Sequence, residues 1–188
     1  NGDSASMYNP AKGFKITCNL PPFAVENVYA SCIVDFKMMN AMKEGSVAVP
    51  GDWVLGARPK KFMELNPQFN LKYAKQVKEY YDVLPKYAGN YTNFNCGHMA
   101  VHYSANKLKC DEIHMYGFDS MFDFNLRSSS DLYLVSDREA NNNLRLSNNW
   151  RPIWQEMFKE FPNTKFVLHH KHNQIKFPVG KNVEIVTN

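Results

Sequence analysis

Residues 95–119 read NCGHMAVHYSANKLKCDEIHMYGFD, and their reading decides the fold. Gly97 to Leu108 has the composition of a helix, with Gly97, Ala100 and Ser104 on one face, where small side chains permit close packing on a sheet. Asp111 to Asp119 follows as a strand that stops at Gly117. A helix feeding a strand through a short turn is half of a βαβ unit, so a parallel sheet is expected.

The same alternation extends in both directions. Upstream, GFKITCN (Gly13 to Asn19) and NVYASCIVD (Asn27 to Asp35) are β-branched and apolar, as strands are. FKMMNAMKEG is a helix with Gly45 as its natural end, and SVAVP and DWVLG are further short strands. From about Pro59 to Tyr81 the chain carries enough Lys, Glu, Leu and Gln to be mostly helical. Downstream, Ser120 to Asn149 lacks periodicity over a length too great for an ordinary connection, which suggests a lid or binding loop. Trp150 to Phe161 is an amphipathic helix, with Pro152 acceptable only in its first turn. TKFVLHH and VEIVT are the last strands. The expectation is one α/β domain over residues 1–188: Rossmann-like, with a mainly parallel sheet, helices on both faces and a lid at about 120–149.

Composition bounds the class. The chain has 188 residues, enough to bury a real core, and is 44% hydrophobic. It has no apolar run near the ~18 residues that a membrane span needs. Its start, NGDSAS, has neither the basic nor the apolar region of a secretory signal, so a cytoplasmic protein, at most peripheral at the inner membrane surface, is expected. The net charge of +4 suits phosphate-bearing ligands without arguing for nucleic acid. Four cysteines without a C-x-x-C pair are better read as free thiols in a reducing compartment than as disulfides or a zinc site.

In parallel sheets ligands bind beyond the carboxyl ends of the strands, which selects the candidate residues. Asn1, Asn19 and Asp35 each end a segment of this kind, and such side chains can bond a sugar hydroxyl or a nucleotide carbonyl. The N-terminus of the helix at Cys96 and Gly97 offers free N–H groups to an anion. His98 and His102 are four apart but lack an acidic third ligand, so no metal is expected. HHKHN follows a strand, and His170 and His172 could serve as general bases near neutral pH. No G-x-S-x-G, P-loop, G-x-G-x-x-G or D-x-D is present.

N-G-x-S at the start, TCN, a strand ending in a polar residue, and the run from Asn95 to Ser120 together resemble one family. They are similar to the family 42 sialyltransferases of bacteria and to the related flagellin-glycosylation proteins of the motility accessory type. The resemblance implies metal-independent transfer of a sugar from a nucleotide donor, CMP favoured, to an acceptor glycan or another hydroxyl acceptor, with no further cofactor. It implies that a strand of about six residues leads into Asn1. It also implies a donor site made of Asn1, Gly2 and Ser4 of the opening loop, Asn19, Asp35, Cys96, Gly97 and Asp119. The family's arginine upstream of the helix falls on Asn93, and one phosphate-binding tyrosine falls on Met121, for which Tyr133 is the substitute. The family's general-base histidine has no counterpart in NNNLRLSNNW. Either His170 or His172 takes over, or the chemistry differs or is absent. A phage-type enzyme that glycosylates DNA bases and a non-catalytic nucleotide-binding protein are the alternatives, and self-association stays open.

Overall fold

The computed structural model describes residues 2–10, 13–122, 150–171 and 178–187. The expected lid therefore lies outside the described residues from position 123 to 149, as do Asn1, Tyr133 and His172. The chain is α/β, with seven strands among the described residues, all paired in parallel.

Four strands form the first sheet in sequence order: β1 (Ile16–Cys18), β2 (Ala30–Ile33), β3 (Trp53–Leu55) and β4 (Val77–Tyr80). Its central strands β2 and β3 are buried on both faces, as a sheet covered on two sides requires. Ile33, Trp53 and Leu55 pack against α1 (Phe36–Lys43), α2 (Ala57–Leu65) and α3 (Pro67–Tyr73), through Met38, Met39, Phe62, Met63 and Phe69. Their neighbours Ala30, Cys32 and Val54 point the other way, into a core they share with α4 (Cys96–Asn106). Alternation with a period of two thus divides each strand between two cores.

The second sheet holds β5 (Glu112–Tyr116), β6 (Lys165–His169) and β7 (Val183–Val186). Met115, Phe166, Leu168 and Val183 enter the core shared with α4 and with α5 (Arg151–Glu160), which contributes Ile153, Trp154, Met157 and Phe158. The expected helices on both faces are therefore found on the first sheet. The second shows, among the described residues, one helix-covered face and one carrying Glu112, His114, Tyr116, Lys165 and His169.

Two local expectations need correction. Residues Val77 to Tyr80 are a strand, although the surrounding stretch reads as helical. SVAVP is not a strand: Val49 is buried beside Trp53, whose indole N–H donates to the Val49 carbonyl at 2.9 Å. That bond uses the segment as a loop that seats the ring. No helix among the described residues is long and apolar enough to cross a membrane.

Candidate site at the carboxyl edge

β5 ends at Gly117, whose φ of 76° turns the chain in a region that favours glycine. Asp119 follows, fully buried, and its carboxylate is the hub of the site. One oxygen accepts the Ser4 N–H at 2.6 Å, and the other accepts from His170 Nδ1 at 3.1 Å. The Ser4 hydroxyl accepts the Lys171 N–H at 2.8 Å, and the Gly2 N–H donates to the Gly117 carbonyl at 2.8 Å. Three segments distant in sequence thus meet on one carboxylate. A β-carbon at Gly2 would lie 2.3 Å from an Asp119 oxygen, so only glycine lets the loop come this close.

His170 is as buried as Asp119, and its ring stacks on Phe122 with centroids 3.8 Å apart. Arg151 of α5 donates to the carbonyls of Met121 and Phe122, closing the turn over the ring. Buried charge has to be paired and hydrogen-bonded to be tolerated, and Asp119 meets that condition.

The second part of the edge is built around α4. Asn95 caps the helix: its side chain accepts the His98 N–H at 3.0 Å, and His98 Nδ1 accepts the Asn95 N–H at 3.1 Å. This is a capping box with imidazole in the place of the usual Glu or Gln. Burial drives the His98 pKa down to about 3, so the ring is neutral and free to accept. Cys96 donates its thiol to the Cys32 carbonyl at 2.8 Å, and Cys18 donates to the Cys96 carbonyl at 3.9 Å, which fixes the start of α4 over the ends of β1 and β2. Asn19 follows β1 in the left-handed region, at φ 54°, and donates its N–H to the Cys32 carbonyl at 2.9 Å. Its side-chain carbonyl oxygen is buried and has no hydrogen-bond partner among the described residues. A β-carbon at Gly97 would lie 2.8 Å from the Phe118 ring, so Gly97 is where α4 touches the end of β5.

Asp35 opens α1 and is held by Arg58 of α2 at 3.0 Å. Arg58 also lines an open cleft with Val34, Gly56, Tyr81, Tyr91 and Phe94, beyond the ends of β2, β3 and β4. Burial raises the Tyr81 pKa to about 12, and the Tyr81 hydroxyl shares a hydrogen bond with His102 Nδ1 at 2.7 Å.

Among the predicted residues, Gly2, Ser4, Asp119 and His170 come together in one network. Asn19, Cys96 and Gly97 form a second group, joined to the first where Gly97 meets Phe118. Asp35 stands on the cleft side, with Arg58. Asn1, Tyr133 and His172 lie outside the described residues. Sequence reasoning missed Arg58, which RPKK presents as part of a solvated basic run, although its place just after a strand and a glycine was a signal. Among the described residues no group of three His, Cys, Asp or Glu side chains is placed to hold a metal ion. Comparison with protein-family models, with curated proteins and with solved structures finds no match to this chain.

Proposed function

We propose that the carboxyl edge binds a nucleotide, and that the chain is a Rossmann-like, metal-independent glycosyltransferase resembling the family 42 sialyltransferases, with a CMP-sugar as the favoured donor. The observation that carries this reading is the convergence of the opening loop, the end of β1, the start of α4 and the end of β5, with glycine at both close approaches. In this reading Ser4, Asp119 and His170 act from within, holding the opening loop. The surface offered to the donor consists of the loop backbone from Gly2, the Asn19 amide and the first N–H groups of α4 at Cys96 and Gly97. Asn1, Tyr133 and Asp35 complete the donor site. An acceptor hydroxyl is deprotonated by His170 or His172. With Nδ1–H donated to the Asp119 carboxylate, His170 carries its basic lone pair on Nε2. Four free thiols fit a reducing, cytoplasmic site of action.

A second reading, binding without transfer, is favoured by one observation: the His170 ring is fully buried beneath Phe122. Calorimetry with CMP, UDP and GDP, with and without magnesium, tests the site, and donor hydrolysis then separates the two readings. CMP binding without magnesium and slow hydrolysis of a CMP-sugar are expected. Binding with no hydrolysis leaves the second reading, and failure to bind any of the three nucleotides overturns both.

A further inference from the structure

Three of the four thiols meet where β1 and β2 run out beneath the first turn of α4. Cys18 and Cys32 are register partners on these neighbouring parallel strands, and Cys96 is the first residue of the helix that packs on them. Sulfur makes the joins. The Cys96 thiol donates to the Cys32 carbonyl at 2.8 Å, and the Cys18 thiol donates to the Cys96 carbonyl at 3.9 Å. The Cys18 and Cys96 sulfurs are also within hydrogen-bonding reach of each other, although the two residues lie 78 positions apart in the chain.

The two touching thiols differ in kind. Cys96 is buried, whereas Cys18 is half-buried at the strand end that reaches the carboxyl edge. The Cys96 proton has two acceptors within reach, the Cys32 carbonyl and the Cys18 sulfur. Turned toward Cys18, it stabilises a thiolate there, and the Cys18 pKa lies below its ordinary value despite burial. The thiolate is the reactive form of cysteine, and oxidant-sensing thiols combine that character with some exposure and a second thiol close by. Cys18 meets all three conditions. Cys110 is half-buried as well, but burial raises its pKa, so it serves as an internal control.

We propose that Cys18 and Cys96 form a reversible disulfide when the folded protein meets a hydroperoxide, with Cys18 as the attacking thiol and Cys96 as the resolving one. Cys18 sulfur attacks the terminal peroxide oxygen: an S–O bond forms, the O–O bond breaks, and the leaving alkoxide or hydroxide takes up the proton that Cys18 released. Cys96 sulfur then attacks the Cys18 sulfenic acid. The S–S bond forms, the S–O bond breaks, and the departing hydroxide leaves as water with the Cys96 proton. Two thiols lose two electrons, and the hydroperoxide is reduced to an alcohol, or to water, plus one water. Cys96 is a poor nucleophile toward a reagent in solution, but here the electrophile is already beside it, and proximity replaces concentration. The new bond displaces the Cys96–Cys32 hydrogen bond, yet the Cys32 carbonyl keeps the Asn19 N–H as its donor. It ties the end of β1 to the start of α4, next to Asn19 and Gly97, and exchange with a small thiol releases it. The inference concerns the thiols alone and stands whether or not a nucleotide binds there.

The test treats the reduced, folded protein with a small excess of hydrogen peroxide and maps its thiols by proteolysis and mass spectrometry without reduction. The expected product is a monomer that has lost two hydrogens, with the Cys18 and Cys96 peptides joined. It should form ~10-fold faster than any oxidation of Cys110 and revert with dithiothreitol. In Cys96→Ala the reaction should stop at a Cys18 sulfenic acid, trapped by dimedone, and the map of the unsubstituted protein decides the matter even if that variant folds poorly. A Cys18–Cys32 bond, further oxidation of Cys18 with no bond, or a disulfide between two chains overturns the proposal. Oxidation of Cys18 no faster than that of Cys110 does so as well. A Cys18–Cys96 bond that forms only in urea also overturns it, because the folded geometry is then not what brings the two sulfurs together.

Discussion

The two sheets solve the same problem differently. ASCI and WVL in the first are apolar in succession and lie between two layers of helices. EIHMY and KFVLH in the second send Met115, Phe166 and Leu168 into the core and His114, Tyr116 and His169 to the other face, where Val167 is also buried. On that face His114 Nδ1 lies 2.9 Å from His169 Nε2, and its other ring nitrogen lies 2.6 Å from Glu112. The first sheet is held by apolar burial on both sides. The second depends on polar ties at its carboxyl edge, above all on Asp119.

The sharpest way to break this contrast is Asp119→Ala. Removing the carboxylate leaves the Ser4 N–H and the His170 ring buried without their partner, and breaking a buried pair costs ~3–5 kcal/mol. Differential scanning calorimetry should show a fall of roughly 10 °C in melting temperature. A fall of only a degree or two would mean that the second sheet does not rely on this hub. Leu55→Ala probes the first sheet, where a fully buried side chain between layers should cost ~2–4 kcal/mol in urea unfolding. Asp119→Asn keeps the size and loses the charge, and a loss between zero and that of the alanine variant is expected.

The pH dependence comes next in size. The folded-state pKa of His98 is depressed to about 3, below its unfolded value of ~6.5, so the unfolded chain binds the extra proton in between. Stability from this ring is complete above pH ~6.5 and is lost as pH falls toward 3, by up to ~1.4 kcal/mol per unit. His98→Gln, which can still cap α4, should flatten the acid limb of a stability–pH curve. An unchanged limb would place the acid sensitivity elsewhere. The smallest effect is expected on the open face: His114→Gln should change stability by less than ~0.5 kcal/mol, since the ring is largely exposed. A loss above 1 kcal/mol would show that this face is covered in the folded protein.

What the sequence disclosed follows from range. Helices α1, α4 and α5 and strands β2, β5 and β6 carry their own signals within a few residues, and so they were legible. VKEY was not, because a strand that carries Lys78 and Glu79 side by side looks like a helix turn, although in the structure Lys78 is exposed and Glu79 is half-buried against Tyr103. SVAVP shows the reverse error: strand propensity without a partner strand leaves a loop. The carboxyl-edge rule pointed only to the loops beyond the strands, and within them the structure brings Gly2, Ser4, Asp119 and His170 into contact. It could not foresee that three of those side chains would be fully buried, because that depends on Phe122 and Arg151 closing over them. The Asp35–Arg58 pair was hidden for a related reason, since it forms only once two crossovers set α1 beside α2.

The thiols at the start of α4 give the site a chemical clock. Burial pushes the Cys32 and Cys96 thiols well above their ordinary range, so neither is an effective nucleophile in the folded protein. Cys18 differs: the adjacent Cys96 thiol, which can donate to a thiolate, holds it below its ordinary value despite burial. Alkylation should therefore proceed in order, with Cys18 labelled from the native state and Cys32 and Cys96 only when α4 lifts from the sheet. Cys18 adjoins Asn19, so a fall in its labelling rate on addition of CMP would support the proposed donor site, while the slower pair reports the free energy of lifting α4.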